Sequence, residues 1–283
     1  MKNIAFIIYR KWAFNIFEKI LNNYQNKNIN FILISIRESE VKLSKYNNIN
    51  KYIINPRDDN ELLNILSKHK IKIALFYGWS WIVSKKIYSN FLSLCLHPSD
   101  LPKYRGGSPL QHQIINGVNR SAVTVFKISK KIDYGHIYKK IPISLKGELI
   151  DIFRRITLAG VKITLKLIKD LNEEKEFFFY RQKKNNFIYK RRKKSESEFT
   201  LNFIKNKNFF YVNNFIRALN DPYPNAFFKL RNKLIFITKI KKNRKNKNIV
   251  TIDSLNTIPR NIKGHYIRIK DCFIEILKGH SSF

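Results

Sequence analysis

Only two of the 283 residues are cysteine, Cys95 and Cys272. They lie far apart with no CxxC spacing, which excludes a disulfide framework and a zinc ribbon and fits a reducing compartment. A Cys-x-His metal site at Cys95 and His97 lacks partners at ligand spacing, so no metal is expected. Long apolar runs are missing as well. No stretch approaches the roughly 18 residues needed to span a bilayer. Arg10 and Lys11 interrupt the run from Ile4 to Tyr9, leaving it too short for the apolar core of a signal peptide. A soluble, cytoplasmic protein with no membrane partner is the expectation. Acidic residues are scarce, at 20 against 55 Lys and Arg, giving a formal charge of +35. That balance suits a polyanionic partner. The heavy use of Lys, Asn and Ile, as in 22–30 and 241–248, equally suits a genome whose base composition sets surface residues, and the bland reading is preferred.

What is present is a repeating order of short apolar runs and amphipathic segments, the pattern of strands joined through helices in a mostly parallel sheet. Strands are expected at 4–8, 31–36, 71–77 and 91–96. Helices are expected at 12–23, where Phe14, Ile16, Phe17, Ile20 and Leu21 share a face, and at 61–69. A helix over 109–116, strands over 122–128 and 136–143, and a long helix over 151–171 follow, with Asp151 suited to the last helix's N-terminal dipole. Charges cluster from Lys183 to Lys194. A domain boundary is placed at Tyr189, giving a first domain of residues 1–189 and a β-rich, OB-like domain of residues 190–283. The second domain's strands are expected at 227–230, 234–240, 249–252 and 266–277.

The densest information lies in residues 95–117, CLHPSDLPKYRGGSPLQHQIING. Its prolines and paired glycines require a strand, a shaped loop and a helix. His97 thus stands at the carboxyl end of a strand, where ligands sit in open α/β sheets. From spacing alone it reads equally as a packing residue or a catalytic one, and Asp133-Tyr134-Gly135 reads as a turn. Together, however, His97-Pro98-Ser99, Leu101-Pro102-Lys103-Tyr104-Arg105-Gly106 and Asp133-Tyr134-Gly135 resemble the signature of the folate-dependent formyltransferases, in the family's order and at about its separation. The phrase from Arg217 to Phe227 resembles the entry to that family's C-terminal domain.

The resemblance implies 10-formyltetrahydrofolate as donor and an amine as acceptor. His97 would donate to the oxyanion and relay protons, and Asp133 would orient it and help to accept the proton. Tyr77, Gly78, Trp79, Trp81 and Ile82, with Ile132, would line the pterin pocket; core packing is the alternative for the aromatic and Ile positions. Where the family carries Asn, two residues before the His, this chain has Cys95. Losing an amide donor to an oxyanion costs on the order of 100-fold to 1000-fold in rate. A relocated donor or water, a slow relative that still binds folate, and a nucleophilic Cys95 working with His97 and Asp133 all stay open.

For the acceptor, Tyr9-Arg10-Lys11-Trp12 replaces the Gly-Thr-Pro typical of the family's methionyl-tRNA branch. The loop Lys103 to Pro109, followed by Gln111-His112-Gln113, resembles the sugar-modifying branch more closely. The expected function is therefore N-formylation of a nucleotide-linked amino sugar, with self-association as a homodimer allowed for. Acceptor-binding candidates are Arg10, Lys11, Ser99, Lys103, Tyr104, Arg105 and Gly106, cations among them suiting a diphosphate. Methionyl-tRNA held by the runs 190–194 and 241–247 is the competing partner, although such runs are more often solvated surface.

Overall fold

The computed structural model describes residues 2–24, 28–39, 43–243, 251–252, 257, 260–270 and 272–282. The chain divides into two compact units. The first comprises residues 1–106, 120–144 and 150–188, and the second comprises 107–119, 145–149 and 189–283.

The first unit is built on a seven-stranded sheet. In chain order its strands are β1 (Lys2–Ile8), β2 (Ile29–Ser35), β3 (Asn50–Ile53), β4 (Ile71–Tyr77), β5 (Leu92–His97), β7 (Arg120–Lys127) and β8 (Ile137–Ser144). The short β6 (Arg105–Gly106) stands in the loop after β5, and a second two-residue strand, β9 (Ile188–Tyr189), follows much later in the chain. The spatial order is β3-β2-β1-β4-β5-β7-β8. Pairing is parallel from β3 through β5 and antiparallel from β5 to β8.

Ile4 to Ile8 are fully buried, as a near-continuous apolar run must be when helices cover both faces of a sheet. On one face Ala5, Ile7, Ile34 and Phe76 pack with Leu62 and Leu66 of α2 (Asp59–Lys68) and Ile87 of α3 (Lys85–Tyr88). Asp58 caps α2, accepting from the backbone N–H groups of Asn60 and Glu61 at 3.0 Å each. On the other face Phe6 meets Phe17 of α1 (Lys11–Asn23), with ring centroids 4.9 Å apart. The 24-residue α5 (Leu149–Asn172) lies close on this face. A Cβ on its Gly160 would stand 2.4 Å from the Ile16 side chain and 3.0 Å from that of Leu96.

The expected elements of this unit are present, and the short β3, α3 and β6 are additional. β3 carries no apolar run, since Asn50, Lys51 and Ile53 are exposed, so it could not be read as an edge strand. Residues 107–119 were expected to belong with the first domain. Instead Ile115, at the end of α4 (Pro109–Ile115), packs against the hydrophobic core of the second unit.

The second unit holds an antiparallel sheet of β10 (Ala226–Leu230), β11 (Lys233–Asn243), β13 (Phe273–Ser281) and β12 (Tyr266–Arg268), paired in that order. The single strand expected over 266–277 is thus a pair, β12 and β13 turning back on each other. The strand expected over 249–252 lies largely outside the described residues; Thr251 bridges Tyr266. Two helices were also missed, α6 (Leu201–Lys205) and α7 (Phe209–Ala218). Their aromatic content reads as strand, but Val212, Phe215 and Ile216 are buried at helical spacing. Thr200 and Asn208 cap the two helices by accepting from Phe203 and Tyr211 N–H groups.

Candidate active site

Because β2 and β4 flank β1 on opposite sides, the chain reverses its winding between β1 and β4. In open α/β sheets the carboxyl ends of two such strands are where ligands bind. The residues that follow these ends form an aromatic group. Tyr9 lies 5.0 Å from Trp81, and Trp79 lies 4.9 Å from Trp81, by ring centroids. The Tyr9 hydroxyl meets Ser80 Oγ at 2.5 Å, and the Arg10 guanidinium lies 4.6 Å from the Tyr9 ring centre. All three rings are half-buried, whereas Arg10 and Lys11 are exposed.

One strand further along, β5 ends at His97. Its Nδ1 lies 3.5 Å from Asp133 Oδ2, with the two side chains only 8% and 15% exposed. Its Nε2 lies 2.8 Å from the Tyr104 carbonyl oxygen. Asp133 Oδ2 also accepts from the Gly106 backbone N–H at 2.7 Å. The imidazole therefore sits between two acceptors, and a doubly protonated ring donates to both. Two backbone conformations create this arrangement, since Tyr104 and Asp133 adopt φ of +58° and +54°. Left-handed backbone at a non-glycine residue costs roughly 1–2 kcal/mol, so surrounding contacts must hold it in place.

Those contacts are concentrated on Arg105, whose side chain is fully buried. Its Nε donates to the Asp133 carbonyl at 3.1 Å and to Gln182 Oε1 at 3.2 Å. Its Nη2 donates to Gln182 Oε1 at 2.6 Å, and its Nη1 to the Asn185 carbonyl. The guanidinium carbon stacks 3.4 Å from the centre of the Tyr134 ring. Gln182 Nε2 in turn donates to the carbonyls of Asp133 and Gly135, at 2.8 Å each. Gly135 is required where it stands, because a Cβ there would lie 1.5 Å from the Lys127 carbonyl oxygen. Nothing in the polar run around Gln182 distinguishes it in the sequence, and it was missed.

Arg105 was expected to touch substrate, and this is corrected: its guanidinium is enclosed, with each of its three nitrogens donating to a protein oxygen. Ser99 is likewise buried, donating to the Lys103 carbonyl at 2.7 Å, so it shapes the loop instead of facing an acceptor. Tyr77, expected to line the pterin pocket, is a core residue bonded to Thr164 at 3.0 Å. Ile82 is 82% exposed and Ile132 48% exposed, which leaves both on the surface. Lys103 is exposed, while Gly78, Tyr104 and Gly106 are partly open.

Residues 6–167 match the model of the formyl transferase family, and residues 193–279 match that of the formyl transferase C-terminal domain. The chain belongs to the formyltransferase family. It is 26% identical over 212 residues to the methionyl-tRNA formyltransferase of Finegoldia magna, a match covering 71% of this chain and 67% of that protein. It is 31% identical over 192 residues to the bifunctional polymyxin resistance protein ArnA of Wigglesworthia glossinidia brevipalpis, covering 66% of this chain and 29% of the relative. Against the methionyl-tRNA formyltransferase of Rickettsia africae, too, the match spans less than two thirds of the relative, at 58%. Among solved structures, the N-formyltransferase of Helicobacter canadensis in complex with folinic acid and dTDP-3-aminofucose shares the fold. The TM-score is 0.68 at 19% identity, covering 99% of this chain and 100% of that one.

Cys95, one of the catalytic candidates, is set in this formyltransferase as a packing thiol. It packs against Leu101, Phe126 and Ile137, and its Sγ lies 3.8 Å from the Leu96 carbonyl. Burial, and then the Asp133 carboxylate, push the thiol well above its ordinary pKa. Both causes oppose the thiolate that a nucleophilic role requires.

The basic run 190–194 is anchored through its backbone inside the second unit. The Lys190 carbonyl lies 3.0 Å from His112 Nε2, and the Arg192 N–H donates to Ser108 Oγ at 3.0 Å. A Cβ on Gly107 would stand 2.4 Å from the Arg191 Cα. Of the run 241–247, residues 241–243 end β11 and the rest lie outside the described residues. The second unit also holds a cleft of about 360 Å³ whose lining includes Asn119, Lys146, Asn214, Arg217 and Lys239. None of the candidate site residues lines it. Among the described residues, no helix is long and apolar enough to cross a membrane.

Proposed function

We propose that this formyltransferase moves a formyl group from 10-formyltetrahydrofolate to the amine of a nucleotide-linked amino sugar. The observation that carries the transfer is the pairing of His97 with Asp133 at 3.5 Å on a loop whose backbone is fixed from behind. Attack of the amine nitrogen on the formyl carbon places negative charge on the formyl oxygen and leaves a surplus proton on the attacking nitrogen. His97 donates to that oxygen, exchanging the Tyr104 carbonyl for it as the substrates enter. Asp133 stabilises the charged imidazole and accepts the surplus proton through water. The proton then passes to the departing donor nitrogen as its bond to the formyl carbon breaks, so that charge and protons balance. Trp79 and Trp81, which follow Gly78 in the chain, supply flat apolar surface suited to a pterin ring.

The acceptor assignment draws on the cations at the carboxyl end of the sheet. Arg10, Lys11 and Lys103 are exposed there and suit a diphosphate through charge-assisted hydrogen bonds. The full-length likeness to the Helicobacter canadensis enzyme, whose structure holds an amino-sugar nucleotide, supports the same choice. Methionyl-tRNA is the second reading, favoured by the Finegoldia magna relative and by the charge of +35. Release of tetrahydrofolate, followed with amino-sugar nucleotides and with methionyl-tRNA in separate reactions, distinguishes the two. Turnover with the sugar nucleotides is expected. Turnover with tRNA alone would overturn the acceptor, and none with either would overturn the activity.

A further inference from the structure

We infer that Gln182 is a positioning residue for the formyl transfer proposed above, acting through the backbone of Asp133. The inference rests on that reading of the site and on the geometry of one amide. Gln182 is buried and uses both ends of its side chain. Its oxygen receives two donors of the buried Arg105, at 3.2 and 2.6 Å. Its nitrogen reaches the carbonyls on either side of Tyr134, those of Asp133 and Gly135, at 2.8 Å each. It therefore clamps the turn from outside while Arg105 holds it from within.

The clamp has a specific object. Asp133 is left-handed at φ +54°, and its carboxylate must meet both the Gly106 N–H and the His97 ring. A carboxylate on such a turn is aimed by its backbone, because rotation about the side-chain bonds alone moves it off one partner or the other. Withdrawing the Gln182 donor frees the Gly135 carbonyl and leaves that of Asp133 to Arg105 alone, which lets the turn relax toward commoner backbone angles and swings the carboxylate away from His97. Misplacement of a catalytic group by about 1 Å can cost about 100-fold in rate. Gln182 touches neither reactant, so its removal acts on the chemical step and not on binding.

The test uses the full chain and two variants. Gln182→Leu removes both functions. Gln182→Glu keeps an acceptor for Arg105, and so the fold, but turns an acceptor toward the Asp133 and Gly135 carbonyls. Each is expected to lower kcat by about 10-fold to 100-fold with KM for donor and acceptor changed less than about threefold. In an Asp133→Ala background the same substitutions should be almost silent, because the group they position is gone. Additive losses in that double-mutant cycle, or a rise in KM at unchanged kcat, would overturn the inference. A second readout does not need turnover: the Gly106 amide, held by the Asp133 carboxylate, should exchange its hydrogen about 10-fold faster in Gln182→Glu. If the unaltered chain transfers no formyl group, the proposed function fails by itself. Unchanged Gly106 exchange would then show that Gln182 does not position Asp133 at all.

Discussion

Lys103 and Arg105 stand two residues apart in one loop and take opposite parts. Lys103 projects into solvent, whereas Arg105 is sealed beneath the turn that presents Asp133, its charge answered by carbonyl oxygens and the face of Tyr134. The same contrast runs through the carboxyl edge of the sheet. Behind His97 and Asp133 every polar contact fixes geometry. Around Tyr9, Arg10 and Trp81 the contacts are mainly aromatic, with a hydrogen bond between the Tyr9 and Ser80 hydroxyls, and the cations stay open. The braced part can carry a step common to all acceptors, and the open rim can decide which acceptor is used. Total charge is a poor guide to either, since the cation that matters most to the loop is the one no anion in solution can reach.

The contrast breaks most visibly at Arg105. Arg105→Ala leaves the buried Gln182 oxygen without its donors and takes one donor each from the Asp133 and Asn185 carbonyls, and should destabilise the protein by about 3 kcal/mol in chemical denaturation. Lys103→Ala, its exposed counterpart, should change stability by less than about 0.5 kcal/mol. Equal effects would erase the distinction between brace and rim. Next in size is Cys95. Restoring an amide with Cys95→Asn supplies a firm donor beside His97 and should raise kcat about 10-fold, measured as tetrahydrofolate release. A fall would mean that the thiol's packing against Leu101 and Phe126 is what the site needs. Smallest is the rim itself. Arg10→Ala should raise KM for a sugar nucleotide about fivefold at unchanged kcat, and the effect should shrink in high salt.

Much of this molecule is legible in its sequence. The buried strands announced themselves as unbroken apolar runs, and the loop from His97 to Gly107 by prolines and glycines that permit few backbone paths. His97 and Asp133 were named from the motif, although spacing alone left each with an ordinary alternative. What could not be read has physical causes. β3 lacks an apolar run because it is a short edge strand, and α7 is written in aromatic residues that favour strands until burial at helical spacing decides otherwise. Arg105 reads as an acceptor contact because it stands in the loop that resembles the sugar-modifying branch, where a cation suits a diphosphate. Its burial depends on Gln182 and Asn185, which lie about 80 positions away in the chain. Tertiary partners at that distance leave no local mark.

The most direct measurement replaces one carboxylate. Asp133→Asn keeps the size of the side chain and an acceptor for the Gly106 N–H but removes the negative charge facing His97. The account predicts that kcat for formyl transfer falls by about 100-fold to 1000-fold while donor and acceptor bind as before. A kcat within threefold of the unaltered protein would contradict it, because the pair would then be packing and not machinery.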